Sequence, residues 1–366
     1  MRLRKLELKN FRNYAQQVFE PCGSLNIISG DNAQGKTNIL EAIYLTCTGK
    51  SFRSLRDTEM ISWDNEFSLI SAFYETAGHE MELRLLLEGG QKKIKINGAP
   101  SKGLPFGWPG IVLFTPDDLN IVKGSPQTRR YFFDTEIGVL DNQYSHYLNR
   151  YQRILQQRNN LLKETREGKK DQELMDTWNK QFSVYGAKII KTRMVLLKKV
   201  NYFVRTIYRQ LTGGKEEISF RYSSSIKIEQ EMEEKEIINL FNRVINEVEK
   251  DEIYRGQSLI GPHRDDIIFF INGKETRIYG SQGQQRSLIL AFKLALLKMW
   301  YNEAREYPIL LLDDVMSELD EIRQKELLKI ISNDVQTFIS SSIFTDINTA
   351  AELIKMNFVV KEGTII

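Results

Sequence analysis

The sequence predicts an α/β protein: one mixed lobe assembled from both ends of the chain, with a mainly α-helical lobe inserted between them. Three patterns lead there. Short apolar strand runs fill roughly the first 110 residues, helical periodicity dominates from about residue 127 to 212, and strand–helix–strand alternation returns after about residue 260. The expected division is 1–115 with 260–366 for the mixed lobe and 116–259 for the helical one.

In order along the chain, Leu3, Leu6 and Leu8 open a strand, and Leu25 to Ser29 is a short apolar strand that runs into Gly30. Asn38 to Thr46 has helical spacing. Ser68–Tyr74, Met81–Leu87 and Lys92–Ile96 read as strands, the last closing at Asn97-Gly98, a pair suited to a tight hairpin. Tyr144, Leu148, Tyr151, Leu155 and Leu162 follow heptad spacing. Phe182, Tyr185, Ile189, Leu196, Val200, Phe203 and Ile207 continue helically until Gly213-Gly214 ends the run. Glu217–Tyr222 and Ile267–Ile271 are strands, Gln282–Tyr301 a helix and Ile309–Leu312 a buried strand. A helix through Ile330, a strand at Thr337–Ser340 and a pair around Val359 and Ile365 complete the chain.

Composition excludes several classes. With 41% apolar residues, 19 Phe and 15 Tyr, the chain of 366 residues is globular and not wholly disordered. The apolar runs at Ile309–Leu312 and Val195–Leu197 fall far short of the roughly 18 residues that span a membrane. The start, MRLRKLELKNF, alternates charge with apolar residues and does not read as a signal peptide. Cys22 and Cys47 are too few for a disulfide framework or a cysteine metal site. A soluble protein of the cytoplasm is expected. The net charge of +3 conceals a cancellation: residues 143–215 hold 16 basic and 5 acidic side chains, whereas 229–252 hold 9 acidic and 3 basic ones.

Gly30, Asp31, Asn32, Ala33, Gln34, Gly35, Lys36 and Thr37 fit G-x-x-x-x-G-K-[ST], between an apolar strand and a helix. In such a P-loop, backbone N–H groups and the helix N-terminus face phosphate oxygens, Lys36 adds a cation between the β- and γ-phosphates of ATP, and Thr37 offers a hydroxyl to Mg²⁺. Asp313 and Asp314 end an apolar strand, where a metal-binding carboxylate belongs in a P-loop enzyme; Asp313 would hold Mg²⁺ and Asp314 would orient or deprotonate the attacking water. A helix cap is the structural alternative for both acids. Asp314 stands where many such ATPases carry Glu, so slow turnover is expected.

Ser281, Gln282, Gly283, Gln284, Gln285 and Arg286 open the next helix and resemble the signature motif of ABC-type ATPases, in which Ser and Gly contact the γ-phosphate held by a second subunit. Ser317 to Asp320 resembles the D-loop of the same superfamily. The mixed lobe is therefore expected to be a P-loop NTPase lobe of the ABC ATPase head type. Lys36 and Ser281 lie 245 residues apart, more than in a compact transporter domain, while the insert is too short for the coiled coils of SMC proteins. Pro116 to Asp134 and Leu312 to Leu327 closely resemble two signatures of the RecF family of bacterial DNA replication and repair proteins. Asn10–Tyr14, Ser51–Arg53 and Gly261–Asp266 do so as well, and the resemblance spans the chain. Two superfamily features are missing: Phe114–Asp117 has no Gln, and Ile339–Ser342 has no His.

The resemblance implies an ATP-dependent homodimer that binds DNA at gaps and stalled forks. It implies RecO and RecR as partners, RecA loading and SOS induction as outcomes, and no chemistry on DNA. Ser281, Gly283 and Gln284 of a second copy would close over ATP. Lys188, Lys191, Arg193, Lys198 and Lys199 are candidate DNA contacts, the alternative being a solvated helix face. Arg129 and Arg130 are alternatively internal partners of Asp134 or Glu136, and His263, between Pro262 and Arg264, reads as a structural contact. A transporter ATPase subunit and an SMC-like clamp are the rival readings; the basic insert opposes the first and the missing long heptad arms the second.

Overall fold

The computed structural model describes residues 2–76, 78–104, 110–229, 232–331, 333–342 and 354–366. The chain divides into two compact units: Met1–Asp118, Ile207–Lys215 and Ile289–Ile366 form unit one, and Leu119–Thr206 with Glu216–Leu288 form unit two.

Unit one begins with β1 (Arg2–Phe11), β2 (Tyr14–Phe19), β3 (Leu25–Ser29) and helix α1 (Lys36–Thr48), followed by β4 (Phe67–Thr76), β5 (His79–Glu88), β6 (Gln91–Ile96), β7 (Ala99–Ser101) and β8 (Ile111–Phe114). An antiparallel sheet takes the order β2-β1-β4-β5-β6-β7. Leu3 and Leu6 are an odd number of residues apart yet both fully buried, because the β1–β4 register shifts between Leu3 and Lys5. Asn97 and Gly98 both have positive φ, as a two-residue hairpin of the favoured twist requires.

The second sheet of unit one adds β12 (Ile309–Asp313), β13 (Thr337–Ser341), β14 (Lys355–Lys361) and β15 (Thr364–Ile365) in the order β15-β14-β3-β13-β12-β8. All its neighbours are parallel except β15. β3, β8, β12 and β13 are buried at every residue; β8 and β12 accordingly read as apolar runs, whereas β3 and β13 also bury Asn26, Ser29, Thr337, Ser340 and Ser341. Helix α1 packs Ile39, Leu40 and Ile43 into a core shared with Leu6, Phe11, Leu311 and Phe338.

Unit two carries α2 (Asn120–Lys123), α3 (Pro126–Leu140), α4 (Asn142–Arg166) and the 40-residue α5 (Gln172–Leu211), whose residues from Ile207 onward belong to unit one. Strand β9 (Ile218–Ser223), helix α6 (Glu234–Arg255), β10 (Asp266–Ile271), β11 (Lys274–Glu275), α7 (Thr276–Tyr279) and the start of α8 (Gln282–Ala304) complete it. Helix α9 (Glu321–Ile330) lies in unit one. Gly213 and Gly214 end α5 with positive φ, and the Gly214 N–H returns to the Arg209 carbonyl at 2.7 Å. A small antiparallel sheet, β11-β10-β9, pairs Ile218–Ser223 with residues beyond the expected lobe boundary at 260, so that both strands fall in unit two.

Candidate functional site

Three neighbouring parallel strands end together in unit one, and each delivers one part of a site at its carboxyl end. β3 leads into the glycine loop, β12 ends at Asp313, and β13, between them, places Ser340 directly beside Asp313 in register. The Ser340 hydroxyl donates to Asp313 Oδ1 at 2.6 Å and accepts the Asp314 N–H at 2.9 Å. Thr37 donates to the same Asp313 oxygen at 3.0 Å. Burial pushes the Asp313 carboxyl above its ordinary pKa, and the Ser340 and Thr37 hydrogen bonds partly oppose this. Asp314 takes a left-handed backbone (φ +51°), and its Oδ1 is buried without a hydrogen-bond partner.

The loop itself is held from two sides. Asn13 Nδ2 donates to the Gln34 carbonyl at 2.8 Å and the Tyr14 hydroxyl to the Gly35 carbonyl at 3.1 Å. From the chain's end, the Gly363 N–H reaches the Gln34 carbonyl at 3.1 Å and the Glu362 N–H its side chain at 2.6 Å. Gly30 (φ +146°) has no room for a Cβ, which would lie 2.3 Å from the Val360 carbonyl oxygen. Lys36 is 8% exposed and donates to the carbonyls of Gly30 and Asp31 at 2.6 and 2.7 Å. Burial lowers its pKa against the pull of Asp314, Asp313 and Asp31. Asn32, Ala33, Lys36, Thr37, Asp313 and Asp314 line a cavity of about 340 Å³, which Arg53 and Ser340 also face. A cavity flanked by the first turn of a helix, with its unpaired N–H groups, suits phosphate oxygens; the hydroxyl and carboxylates beside it suit a hard cation.

Sequence reasoning found the loop and the acids but not what braces them. Ser340 was visible only as a position lacking His. Glu41 is fully buried on α1 and takes a two-pronged ion pair from Arg12 (2.6 and 2.8 Å) and a hydrogen bond from Ser51. The Asn10–Tyr14 and Ser51–Arg53 motifs thus meet on this helix. An acid between Leu40 and Ala42 on an otherwise apolar helix was the available signal.

The remaining candidates cap helices. In unit two, Ser281 and Gln284 form a reciprocal cap on α8, with Gln284 N–H to Ser281 Oγ at 3.2 Å and Ser281 N–H to Gln284 Oε1 at 2.8 Å, and Gly283 follows within the first turn. In unit one, Asp320 caps α9 by accepting the Arg323 N–H at 2.9 Å.

The basic helix departs from its expectation. Arg193 is 2% exposed and clamps Asp134 at 2.7 and 2.9 Å, so it presents no charge to solvent. Lys188 faces Glu234 at 3.6 Å and Lys191 faces Glu233 at 3.3 Å, which places the acidic segment against the basic stretch. Lys198 and Lys199 are exposed. Arg129 pairs with Asp266, not with Asp134 or Glu136, and Arg130 donates to the Asp265 carbonyl. His263 bridges Tyr151 and the Ser258 carbonyl, a structural contact.

An AAA domain model matches residues 5–353. The DNA replication and repair protein RecF of Pelotomaculum thermopropionicum is 48% identical over 340 residues, covering 93% of each chain, and that of Bacillus cereus is 41% identical over 345 residues, 93% of this chain and 92% of the relative. This chain belongs to the RecF family. A solved structure of the recombination mediator protein RecF–ATP in the RecFOR pathway superposes with a TM-score of 0.89 at 33% identity, covering 100% of this chain and 97% of the other. An Smc head bound to the C-winged helix domain of ScpA matches at 16% identity with a TM-score of 0.56, covering 100% and 96%, a likeness of fold alone. The RecF fold of this chain is therefore that of the α/β P-loop ATPase heads, as the sequence predicts. Among the described residues no helix is long and apolar enough to cross a membrane.

Proposed function

We propose that this chain is an ATP-switched, DNA-binding protein of recombinational repair and replication that acts in the cytoplasm as a homodimer formed on ATP. The observation that carries the reading is the chain of contacts Thr37–Asp313–Ser340–Asp314 beside the clamped glycine loop. Gly30 to Thr37 would hold the triphosphate, with Lys36 moving from the loop carbonyls onto phosphate. Thr37 and Asp313 would hold Mg²⁺, which when bound neutralises phosphate charge. Asp314, with its unpartnered oxygen, would orient the attacking water. Ser281, Gly283 and Gln284 of a second copy would meet the γ-phosphate through a capped helix N-terminus, and ATP would thereby favour the dimer. Hydrolysis would release it, a weak ATPase serving as a switch. Family membership supports DNA at gaps and stalled forks as the ligand, RecR and RecO as partners, and RecA loading and SOS induction as outcomes.

Sedimentation of wild type and Lys36→Met with and without ATP tests this. Wild type should dimerise only with ATP and Lys36→Met should stay monomeric. A wild type that ignores ATP would sink the shared-site mechanism.

A further inference from the structure

The cationic stretch of α5 divides in two. Lys188, Lys191 and Arg193 face Glu234, Glu233 and Asp134. Lys198, beyond them, joins Arg221 of β9 and Lys227 of the following segment around a cavity of about 630 Å³ within unit two. None of these three has an ion-pair partner among the described residues, and no acidic side chain lines the cavity. The wall is partly aromatic: Phe220 and Phe270 are half-buried, and the Arg221 guanidinium lies 5.0 Å from the centre of the Phe270 ring. Asn201, three residues after Lys198 on α5, lines the same cavity with an Oδ1 that is buried and accepts no hydrogen bond.

Each feature is incomplete in a way that specifies its complement. Three unneutralised cations call for an anion. A buried acceptor left unpaired is unfavourable until an N–H donor arrives. Aromatic walls favour a planar group, and the volume lies in the range of small-ligand sites, roughly 300–1,000 Å³. We propose that this cavity binds a phosphorylated nucleoside, its phosphate against Lys198, Arg221 and Lys227 and a base N–H on Asn201. The source is one nucleotide of a DNA single strand or a free nucleotide; the first rests on the DNA-binding reading above.

Fluorescence anisotropy with a labelled ten-residue oligodeoxycytidine tests it across salt concentrations, using wild type, the triple variant Lys198→Glu/Arg221→Glu/Lys227→Glu, and Lys188→Ala/Lys191→Ala. With one phosphate held by the three cations, the triple variant should flatten the salt slope by about 0.7 and weaken binding by more than about 30-fold at low salt, while the double variant stays within about threefold. An abasic strand of the same length should bind wild type about tenfold more weakly than oligodeoxycytidine, a preference that Asn201→Leu reduces. Cytidine monophosphate, titrated in a Lys36→Met background, separates the sources: displacement of the oligomer supports a free nucleotide, and no displacement supports the strand. Wild-type affinity in the triple variant, or equal binding of the abasic strand, overturns the cavity proposal and leaves DNA binding elsewhere on the chain. A wild type that binds neither probe overturns both.

Discussion

At the glycine loop of unit one, ionic groups are held but not satisfied: Lys36 rests on backbone carbonyls, Asp314 keeps a buried oxygen unpartnered, and a cavity stands in front of both. In the interior of unit two, the ionic groups are closed on one another. Arg158 joins Glu252 at 2.6 Å with both nearly fully buried, and Arg193 joins Asp134 while also donating to the Pro262 carbonyl at 2.8 Å. Both regions bury charge against a desolvation cost, and only the first leaves the complement to be supplied from outside. What separates a binding site from a structural ion pair here is therefore the missing partner, not the density of charge.

Arg193→Ala tests the closed side most severely. It leaves the Asp134 charge without its cation, the Tyr144 hydroxyl still donating to it, and removes a donor from Pro262, and should cost about 3 kcal/mol in denaturant unfolding. A loss below about 1 kcal/mol would mean that the pair adds no net stability and that its closure is not what holds this interior together.

That residue also shows where sequence reading stops. The loop, both acids and the strands that deliver them were legible because they depend on local sequence: glycines where the backbone needs positive φ, and short apolar runs leading into them. Arg193 read as one more cation on a basic helix, since its partner Asp134 is 59 residues away in sequence. Ser340 was hidden for a similar reason. Its role arises from β13 lying between β3 and β12, and a serine at a strand end announces nothing by itself. The opposed charge blocks were visible, but whether they met, and which lysines they left over, depended on how α5 and α6 pack.

The second test concerns pH in the same closed interior. The Ser258 carbonyl can only accept, so His263 Nε2 carries the proton and Nδ1 accepts from the Tyr151 hydroxyl at 2.8 Å. Burial lowers this imidazole from 6.5 to about 4. The unfolded chain takes up a proton below about pH 6.5 while the folded one resists until about 4. Stability present above 6.5 is thus lost as pH falls through that window, by about 3 kcal/mol in total. His263→Gln should remove this component, so its stability should fall less than that of wild type between pH 7 and 4.5. Parallel profiles would count against a neutral, enclosed His263.

The smallest expected effect bears on the open side, where one hydroxyl organises two acids. Ser340→Ala deletes the donor to Asp313 and the acceptor of the Asp314 N–H, so the two acids lose their mutual alignment while the glycine loop keeps all its clamps. A hydrogen bond to a charged group is worth about 2 kcal/mol, which corresponds to about 30-fold in single-turnover ATP hydrolysis with nucleotide affinity nearly unchanged. Ser340→Thr keeps the hydroxyl and should recover most of the rate. The pH profile separates alignment from mere folding. Because the Ser340 hydrogen bond pulls the raised Asp313 pKa downward, its removal should move the acid limb of the rate profile to higher pH, and Thr should move it back. If affinity and thermal stability fall together while the acid limb stays in place, Ser340 only packs the strand. The open site would then owe its geometry to the loop alone.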